Sequence, residues 1–299
     1  MKSSIVLINN PVAFKASSRK VAQASYYLQS KGYEVEVLFT DKKGDAEALS
    51  KKAIEKSPSL IIAAGGDGTF NEVINGIAGS ETPMAILPLG TTNVLAKELG
   101  IPETVKSSMD IAIQGVSRVV SLGKITLQQD TPKVRYFCMM AGIGFDGMTV
   151  FEINKTVKKI SGKGAHFYSG LKVLSHFHPN ELTFTIGGKS YTGYSAVVGK
   201  GAKYGGHIKV TPDAKLTDPN LYICIFKGKK RLDICRYIFG VLTKSHLSFK
   251  DVEYLMSERI QIDGSAHIQI DGDYFGMTPA IIEIAPETVK LIYPDMKNL

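Results

Sequence analysis

The stretch Ala64-Gly65-Gly66-Asp67-Gly68-Thr69-Phe70-Asn71-Glu72 concentrates more chemistry than any other in the chain. Its glycines at 65, 66 and 68 remove the Cβ atoms that would keep a ligand off the backbone. The apolar run Leu60-Ile61-Ile62-Ala63 precedes it and a helically spaced segment follows, so it reads as the loop between a strand and a helix. A helix start presents N–H groups without intrahelical partners and the positive end of the dipole, both suited to phosphate. Asp67 places an acid among those phosphates, which makes sense if a Mg²⁺ bound to them is held through water. Two of these residues have a second reading. Thr69 and Glu72 are spaced as a capping box, with Phe70, Val73, Ile74 and Ile77 as the apolar face of the helix they would start. Capping leaves the Gly-Gly-Asp-Gly run unexplained. Neither the Walker A pattern nor a GxGxxG fingerprint fits the spacing.

The elements that must hold this loop follow from the surrounding pattern. Ile5 to Ile8, Val35 to Phe39, Leu60 to Ala63 and Met84 to Leu87 are short apolar runs. Between and after them, Ser17 to Ser30, Asp45 to Lys56, Thr69 to Ala78 and Thr91 to Leu99 have helical character, the last closed by Gly100 and Pro102. Strands alternating with helices predict a parallel sheet with helices on both faces, binding ligands at the carboxyl ends of its strands. Beyond about Val116 the texture changes. Lys133 to Met140, Glu181 to Ile186, Lys189 to Val198, Leu221 to Phe226, Arg259 to Ile262 and Ala266 to Ile270 read as strands, with turn signals such as Gly187-Gly188 and Asp263-Gly264 between them. Phe151 to His178 and Arg231 to Leu242 read as helical interruptions of a β-rich sandwich or barrel. The expected division is a nucleotide-binding α/β domain over 1–120 and a β-rich acceptor domain over 121–299, meeting at a cleft, with the last strand able to return to the first domain.

Composition narrows the classes. The chain has 299 residues, 44% hydrophobic and 21% charged, enough to bury full cores without disulfide or metal staples. Cys138, Cys224 and Cys235 form no CxxC pair and read as reduced thiols of a cytosolic protein. The opening apolar stretch breaks at Asn9-Asn10-Pro11, too early for a signal segment, and no run approaches the length of a membrane span. A soluble, cytoplasmic protein is the expectation. The net charge of +8 favours polyanionic partners, nucleotide phosphates or an anionic membrane surface among them. No like-charge block, zinc-finger spacing or RNA-binding aromatic signature points to nucleic acid.

Three segments carry a resemblance. Gly65-Gly66-Asp67-Gly68-Thr69 resembles the GGDGT motif of the diacylglycerol kinase catalytic domain, shared with sphingosine kinases and more distantly with NAD kinases and phosphofructokinases. Pro88-Leu89-Gly90-Thr91-Thr92-Asn93-Val94-Leu95-Ala96, continuing through Leu99-Gly100-Ile101-Pro102, resembles that family's P-x-GT-x-N-x-x-A-x-x-LG-x-P segment. Gln269-Ile270-Asp271-Gly272-Asp273 resembles its Q-x-DGE segment. With Asn9-Asn10-Pro11, the likeness runs in order over nearly the whole chain and is close to the bacterial YegS/DgkB/BmrU-like lipid kinases.

The resemblance implies an NAD kinase/phosphofructokinase-like parallel sheet followed by a β-rich sandwich, with the nucleotide between the lobes. It implies ATP contacts at Asn9, Asn10, Thr40, Gly65, Gly66, Asp67, Gly68, Thr69, Asn71, Thr91 and Asn93, with Asp67 and Asp271 catalytic. Thr40 and Asn93 equally suit turn or helix caps. Val94 stands where many members carry aspartate. Asp271-Gly272 alone is a hairpin turn signal; in the family's context Asp271 is the candidate general base for the acceptor hydroxyl. Asp273 replaces the usual glutamate.

The segment Gly205 to Asp218 resembles the family's GG-x-x-x-x-AP-x-A-x-x-x-DG-x-L stretch. It implies a structural Mg²⁺ on Asp218 and the carbonyls of Lys215 and Asn220, oxygen donors suited to that ion. Pro219 replaces the usual glycine and Tyr222 stands where an aspartate is common, so a simple Thr-Asp-Pro-Asn turn is the alternative. Lys15 and Arg19 suit phosphates or a solvated helix face, and Lys200, Lys203 and Lys209 suit an anionic membrane. The histidines, His176 and His178 included, show no ligand spacing.

The function expected is transfer of the γ-phosphate of ATP, with Mg²⁺, to a lipid hydroxyl at a membrane surface, with diacylglycerol, giving phosphatidic acid, the leading acceptor. The enzyme would be peripheral to the membrane, and a homodimer stays open. The alternatives are an NAD kinase-like enzyme and an inactive nucleotide-binding regulator.

Overall fold

The computed structural model describes residues 3–13, 18–156, 174 and 178–295. Lys15, His176 and most of the helical stretch expected over Phe151 to His178 lie outside the described residues. The chain divides into two compact units, one of Met1–Ser121 with Pro286–Leu299 and one of Leu122–Ala285.

The first unit runs β1 (Ser4–Asn9), α1 (Ser18–Ser30), β2 (Glu34–Phe39), α2 (Asp45–Ile54), β3 (Leu60–Gly65), α3 (Asp67–Ile77), β4 (Met84–Pro88), α4 (Val94–Glu98) and α5 (Val105–Gln114). The strands pair in parallel in the order β2-β1-β3-β4. Ile5, Leu7, Leu60, Ile62, Ala85 and Leu87 pack with Val21, Ala24 and Leu28 of α1 and with Val105, Met109 and Ala112 of α5. The alternate positions Val6, Ile8, Ile61, Ala63, Met84 and Ile86 are buried as well, and α2 and α3 pack on β1 and β3. A strand covered on both faces must be apolar at every position, which is why β1, β3 and β4 read as continuous runs. Each fully buried Leu, Ile or Met contributes roughly 1.5–3 kcal/mol, so this double coverage dominates the unit's stability. The sequence pattern passed over α5, whose N-cap Thr104 accepts from the Ser107 N–H.

β5 (Val116–Leu127) begins in the first unit and ends in the second, which continues with β6 (Lys133–Phe137), β7 (Met140–Ile143), α6 (Phe145–Thr156), β8 (Leu182–Ile186), β9 (Lys189–Gly193), β10 (Ser195–Gly199), the short β11 (Lys203–Tyr204) and β12 (Ile208–Lys209), and β13 (Leu221–Phe226). Then come α7 (Arg231–Leu242), β14 (Val252–Ser257), β15 (Arg259–Asp263), β16 (His267–Ile270), β17 (Asp273–Met277) and β18 (Ala280–Tyr293). One sheet is antiparallel throughout, in the order β14-β13-β10-β7-β16-β17. The other joins β15 to β18 and to β8, and β8 to β9, with β5 and β6 paired beside β18. Phe137, Phe184, Ile260, Ile262 and Ile282 of this second sheet meet Ile143, Val198, Ile223, Ile225 and Ile268 of the first, forming a sandwich core. The outer half of β18 belongs to the first unit, where Leu291 pairs in parallel with Met84.

Two stretches expected as single strands are broken. Lys189 to Val198 splits at Tyr194, where the chain leaves one sheet of the sandwich for the other. Lys133 to Met140 splits at Cys138-Met139, because the N–H groups there serve a carboxylate instead of a neighbouring strand.

Thiol reactivity tests this burial. Cys235 is exposed, Cys138 and Cys224 are buried, and burial pushes the Cys224 thiol up to about 12. Titration of the native protein with a disulfide reagent should modify one thiol rapidly and all three only after denaturation, and a Cys235→Ser variant should lose the fast phase. Rapid native modification of two or more thiols would contradict the packing described.

Candidate functional site

In the first unit the chemistry gathers where the parallel strands end. Asn9 closes β1 in register with Phe39 and Ala64, and Gly65 closes β3 beside Pro88. β1 connects outward to β2 while β3 connects outward to β4, so the sheet's switch point lies between β1 and β3, where open sheets bind ligands. Asn9 and Asn10 follow one of these strands and the Gly65–Thr69 loop follows the other.

The two loops are tied together. The Asn10 N–H donates to the Ala64 carbonyl at 3.0 Å, and Asn10 Nδ2 donates to Thr69 Oγ1 at 3.1 Å. Thr40, buried just past β2, donates its N–H to the Asn9 carbonyl at 3.0 Å. Asn9 Oδ1 is buried with no hydrogen-bond partner among the described residues. A buried acceptor left unpaired costs about 1–3 kcal/mol, so this oxygen is suited to a donor on a ligand.

The third loop, Gly90 to Asn93, locks onto the glycine loop through backbone hydrogen bonds. The Gly65 carbonyl accepts from Leu89 N–H at 2.7 Å and Gly90 N–H at 3.0 Å. Asn93 adopts the left-handed conformation, φ 49° and ψ 55°, and its amide spans the turn, accepting from Gly90 N–H and donating to the Gly90 carbonyl, each at 3.0 Å. Asp67 reaches the same place: its Oδ1 accepts from Leu95 N–H at 3.1 Å, in the first turn of α4.

The capping-box reading of Thr69 and Glu72 is corrected here. Helix α3 begins at Asp67 with Gly66 as its N-cap, so Thr69 lies inside the helix, and the N-cap position supplies no side-chain cap. Glu72 turns the other way, accepting from Gly44 N–H at 2.9 Å and Ala46 N–H at 3.2 Å, and so caps α2. A helix start with glycine at its N-cap, beside further glycines, is the local geometry a phosphate group fits. Asn71 is buried, and its Oδ1 accepts from Asn75 Nδ2 one turn along the helix at 3.2 Å. Thr91 is half-buried in the third loop.

In the second unit Asp271 sits in a two-residue hairpin loop. Ile270 pairs with Asp273, and Asp271 and Gly272 have φ of 47° and 90°, as a type I′ turn requires. The carboxylate is drawn inward. Its Oδ1 accepts from Met139 and Met140 N–H and its Oδ2 from Cys138 N–H, each at 2.9 Å. Successive N–H groups converging on one carboxylate form an anion-binding nest. The turn is held from behind by Gln269, whose Oε1 accepts from Gly272 N–H at 2.8 Å and whose Nε2 donates to Asp146 Oδ2 at 2.7 Å. Asp146 Oδ1 also accepts from the Tyr204 hydroxyl. The Tyr204 phenol is raised well above its usual range, first by withdrawal from water and then by the Asp146 carboxylate. Sequence reading assigned no role to Asp146, Gln269 or Tyr204; the Gly144-Phe145-Asp146-Gly147 run was the available signal.

The expected Mg²⁺ donors do come together, around another cation. Lys200, read from sequence as a membrane-facing lysine, is completely buried. Its Nζ donates to the carbonyls of Lys215 at 3.2 Å, Asn220 at 3.5 Å and Asp218. The Asp218 carboxylate accepts from Asn220 Nδ2 at 2.6 Å and from the Tyr222 hydroxyl at 2.9 Å. Those bonds, Asn220 first, then Tyr222, with Lys200 adding to them, hold Asp218 below its usual range. Burial pulls the Lys200 ammonium down to about 8, with Cys138 and Asp218 opposing the shift. These donors do not fit a divalent ion, because an ammonium stands among them. Among the described residues no three His, Cys, Asp or Glu side chains form another metal-binding group.

The meeting of the glycine loops is open to test. A Cβ on Gly90 would lie 2.6 Å from Gly66 Cα and 2.7 Å from Asn93 Oδ1, whereas one on Gly66 would lie 3.2 Å from Gly90 Cα. Gly90→Ala should destabilise the protein by about 1–3 kcal/mol in urea unfolding, as overpacking does. Gly66→Ala should cost less, and equal costs would mean the loops yield freely.

Known proteins with this arrangement are consistent on its family. The diacylglycerol kinase catalytic domain model matches residues 4–125, and the YegS C-terminal NAD kinase beta sandwich-like domain model matches 140–293. A diacylglycerol kinase of Bacillus subtilis (strain 168) is 30% identical over 286 residues, covering 93% of this chain and 92% of its own length. A crystal structure from Bacillus anthracis str. Sterne, itself assigned to the diacylglycerol kinases, shares the fold with TM-score 0.78 at 22% identity, covering 100% of this chain and 99% of that one. Yeast NADH kinase complexed with NADH shares it more loosely, TM-score 0.58 at 10% identity, covering 99% of this chain and 85% of that one. With a catalytic-domain match, a C-terminal match over half its length and a relative at 30% identity end to end, the chain belongs to the diacylglycerol kinase family of kinases.

Proposed function

We propose that the chain transfers the γ-phosphate of ATP to the hydroxyl of a lipid, with diacylglycerol the first acceptor to try and phosphatidic acid its product. The observation that carries the proposal is the Gly65–Thr69 loop, leading into α3 with glycine at its N-cap, beside Asn9 Oδ1 at the sheet's switch point, which has no hydrogen-bond partner among the described residues. The family supports phosphoryl transfer, and the named Bacillus subtilis relative supports the acceptor.

In this reading the backbone of Gly65, Gly66 and Gly68 lies against the phosphates, while Asn9, Asn10, Thr40, Thr69, Asn71, Thr91 and Asn93 orient the nucleotide. Mg²⁺ arriving on the phosphates would be held mainly by their oxygens, with Asp67 its protein contact through water, and would neutralise charge there. The acceptor oxygen forms a bond to the γ-phosphorus as the bond to the bridging oxygen breaks, and ADP leaves with that electron pair. The acceptor's proton passes to Asp271. Three N–H donors fix the position of its carboxylate. In a loose phosphoryl transfer little proton movement is needed at the transition state, so orientation of the acceptor matters more than basicity.

The test is Mg²⁺-dependent transfer of labelled γ-phosphate into a panel of diacylglycerol, a sphingoid base, phosphatidylglycerol and a polyprenol in detergent micelles, with NAD as a further arm. Asp271→Asn and Asp67→Ala should each lower turnover by roughly 10²–10⁴-fold while keeping the wild-type far-UV spectrum. Wild-type rates in Asp271→Asn would remove Asp271 from the mechanism. Phosphorylated NAD with no lipid product would favour the NAD kinase reading, and nucleotide binding without any transfer would favour a regulator.

A further inference from the structure

The buried lysine has a consequence for metal dependence. An ammonium has three N–H donors, and here three carbonyls, of Lys215, Asp218 and Asn220, converge on Lys200 Nζ. Mg²⁺ demands oxygens at about 2.0–2.1 Å in octahedral array, closer than the 3.2 and 3.5 Å separations at Lys215 and Asn220. The Lys215 carbonyl also accepts from Asp218 N–H at 3.0 Å, so with Lys200 in place both of its lone pairs are engaged. Charge agrees with geometry: one carboxylate, Asp218, stands beside one ammonium, and Tyr222 contributes a neutral hydroxyl.

We propose that Lys200 is the resident cation of this site, a covalently tethered replacement for a structural divalent metal. It also acts as a positioning residue. The Lys200 and Gly201 N–H groups donate to the Met139 carbonyl at 2.8 and 2.9 Å, and Met139 N–H donates to Asp271 Oδ1. The buried ammonium therefore anchors the segment that holds the Asp271 carboxylate.

Metal content and melting decide the matter without reference to activity. Nucleotide-free wild type passed through a desalting column should carry no stoichiometric divalent metal by mass spectrometry, and its Tm should be the same in EDTA and in millimolar MgCl₂. Lys200→Ala should melt about 5–10 °C lower in EDTA and recover part of that loss in MgCl₂, because its carbonyls are then open to an ion. One tightly held equivalent of metal in the wild type, lost in Asp218→Ala, would overturn the proposal, as would an unchanged Tm in Lys200→Ala. Should Lys200→Ala fail to fold, the wild-type metal content still decides.

A separate observation concerns α7. Ile234, Tyr237 and Gly240 are buried on one side of it, yet Leu232 is 81% exposed, Phe239 66%, Leu242 58% and Ile238 45%, with Cys235 exposed beside them. Asp233, half-buried, is neutralised by the exposed Arg236 one turn on, and Lys229, Lys230 and Arg231 at one end and Lys244 at the other are exposed. An apolar stripe framed by cations at its ends is the pattern of a helix lying in a lipid headgroup layer. We infer that this face of α7 docks on an anionic phospholipid bilayer. Its use rests on the lipid-kinase reading, but vesicle binding is measured without nucleotide, so the two fail separately.

In flotation, wild type should rise with phosphatidylglycerol-containing vesicles and far less with pure phosphatidylcholine. The triple change Leu232→Ser, Phe239→Ser, Leu242→Ser should reduce binding at least about tenfold, and added salt should weaken what remains. Equal flotation of wild type and the triple variant would overturn the inference. So would a wild-type dimer that sedimentation shows dissociating in the variant, which would assign the face to a second copy of the chain.

Discussion

Two backbones touch at the carboxyl edge of the first unit, and its site depends on that contact. Gly66 and Gly90 lie so close that a Cβ on the latter would fall 2.6 Å from Gly66 Cα. The Gly65 carbonyl can therefore take two N–H donors from the next loop, and Asp67 can reach the first turn of α4. A Cβ at Gly90 would force the loops apart, whereas one at Gly66, 3.2 Å from Gly90 Cα, asks them to give by only a few tenths of an ångström. The glycine requirement is steric, because neither Gly66 nor Gly90 has a positive φ.

The second unit positions its candidate general base, Asp271, by a different device. A hairpin loop normally leaves its aspartate in water. Here the carboxylate of Asp271 draws in three consecutive N–H groups and thereby breaks what would have been a continuous strand. Gln269 and Asp146 brace the turn from one side, and the Lys200 segment braces the nest from the other. Each polar group satisfies the next, so disturbing one leaves several buried partners unpaired.

The parallel sheet with helices and the β-rich unit were legible because their periodicities differ: continuous apolar runs alternate with helices up to Pro88, and short alternating strands follow later. Lys200 was read as a surface lysine because a lysine in sequence is exposed far more often than not. Its burial follows from the carbonyls of residues 215, 218 and 220, brought to it by the turn before β13. The i, i+3 spacing of Thr69 and Glu72 offers a capping box as a second reading because that spacing is local, while the actual partners of Glu72 lie across the α2–α3 packing. The exposed apolar side of α7 was invisible for the opposite reason: its residues are apolar on nearly every side, and only the packed structure shows which side is covered.

Residue type alone determined where the backbone has room for a ligand, where a two-residue turn falls and which runs are buried on both faces. These properties depend on the absence of a Cβ, on φ, and on hydrophobic period, and all are local. Tertiary structure decided which polar groups meet: Asn10 with Thr69, Asp67 with Leu95, Asp271 with Cys138 to Met140, and Lys200 with three carbonyls. Hydrogen bonds and charges act over a few ångströms in space with no regard to separation along the chain, so only the folded chain specifies them.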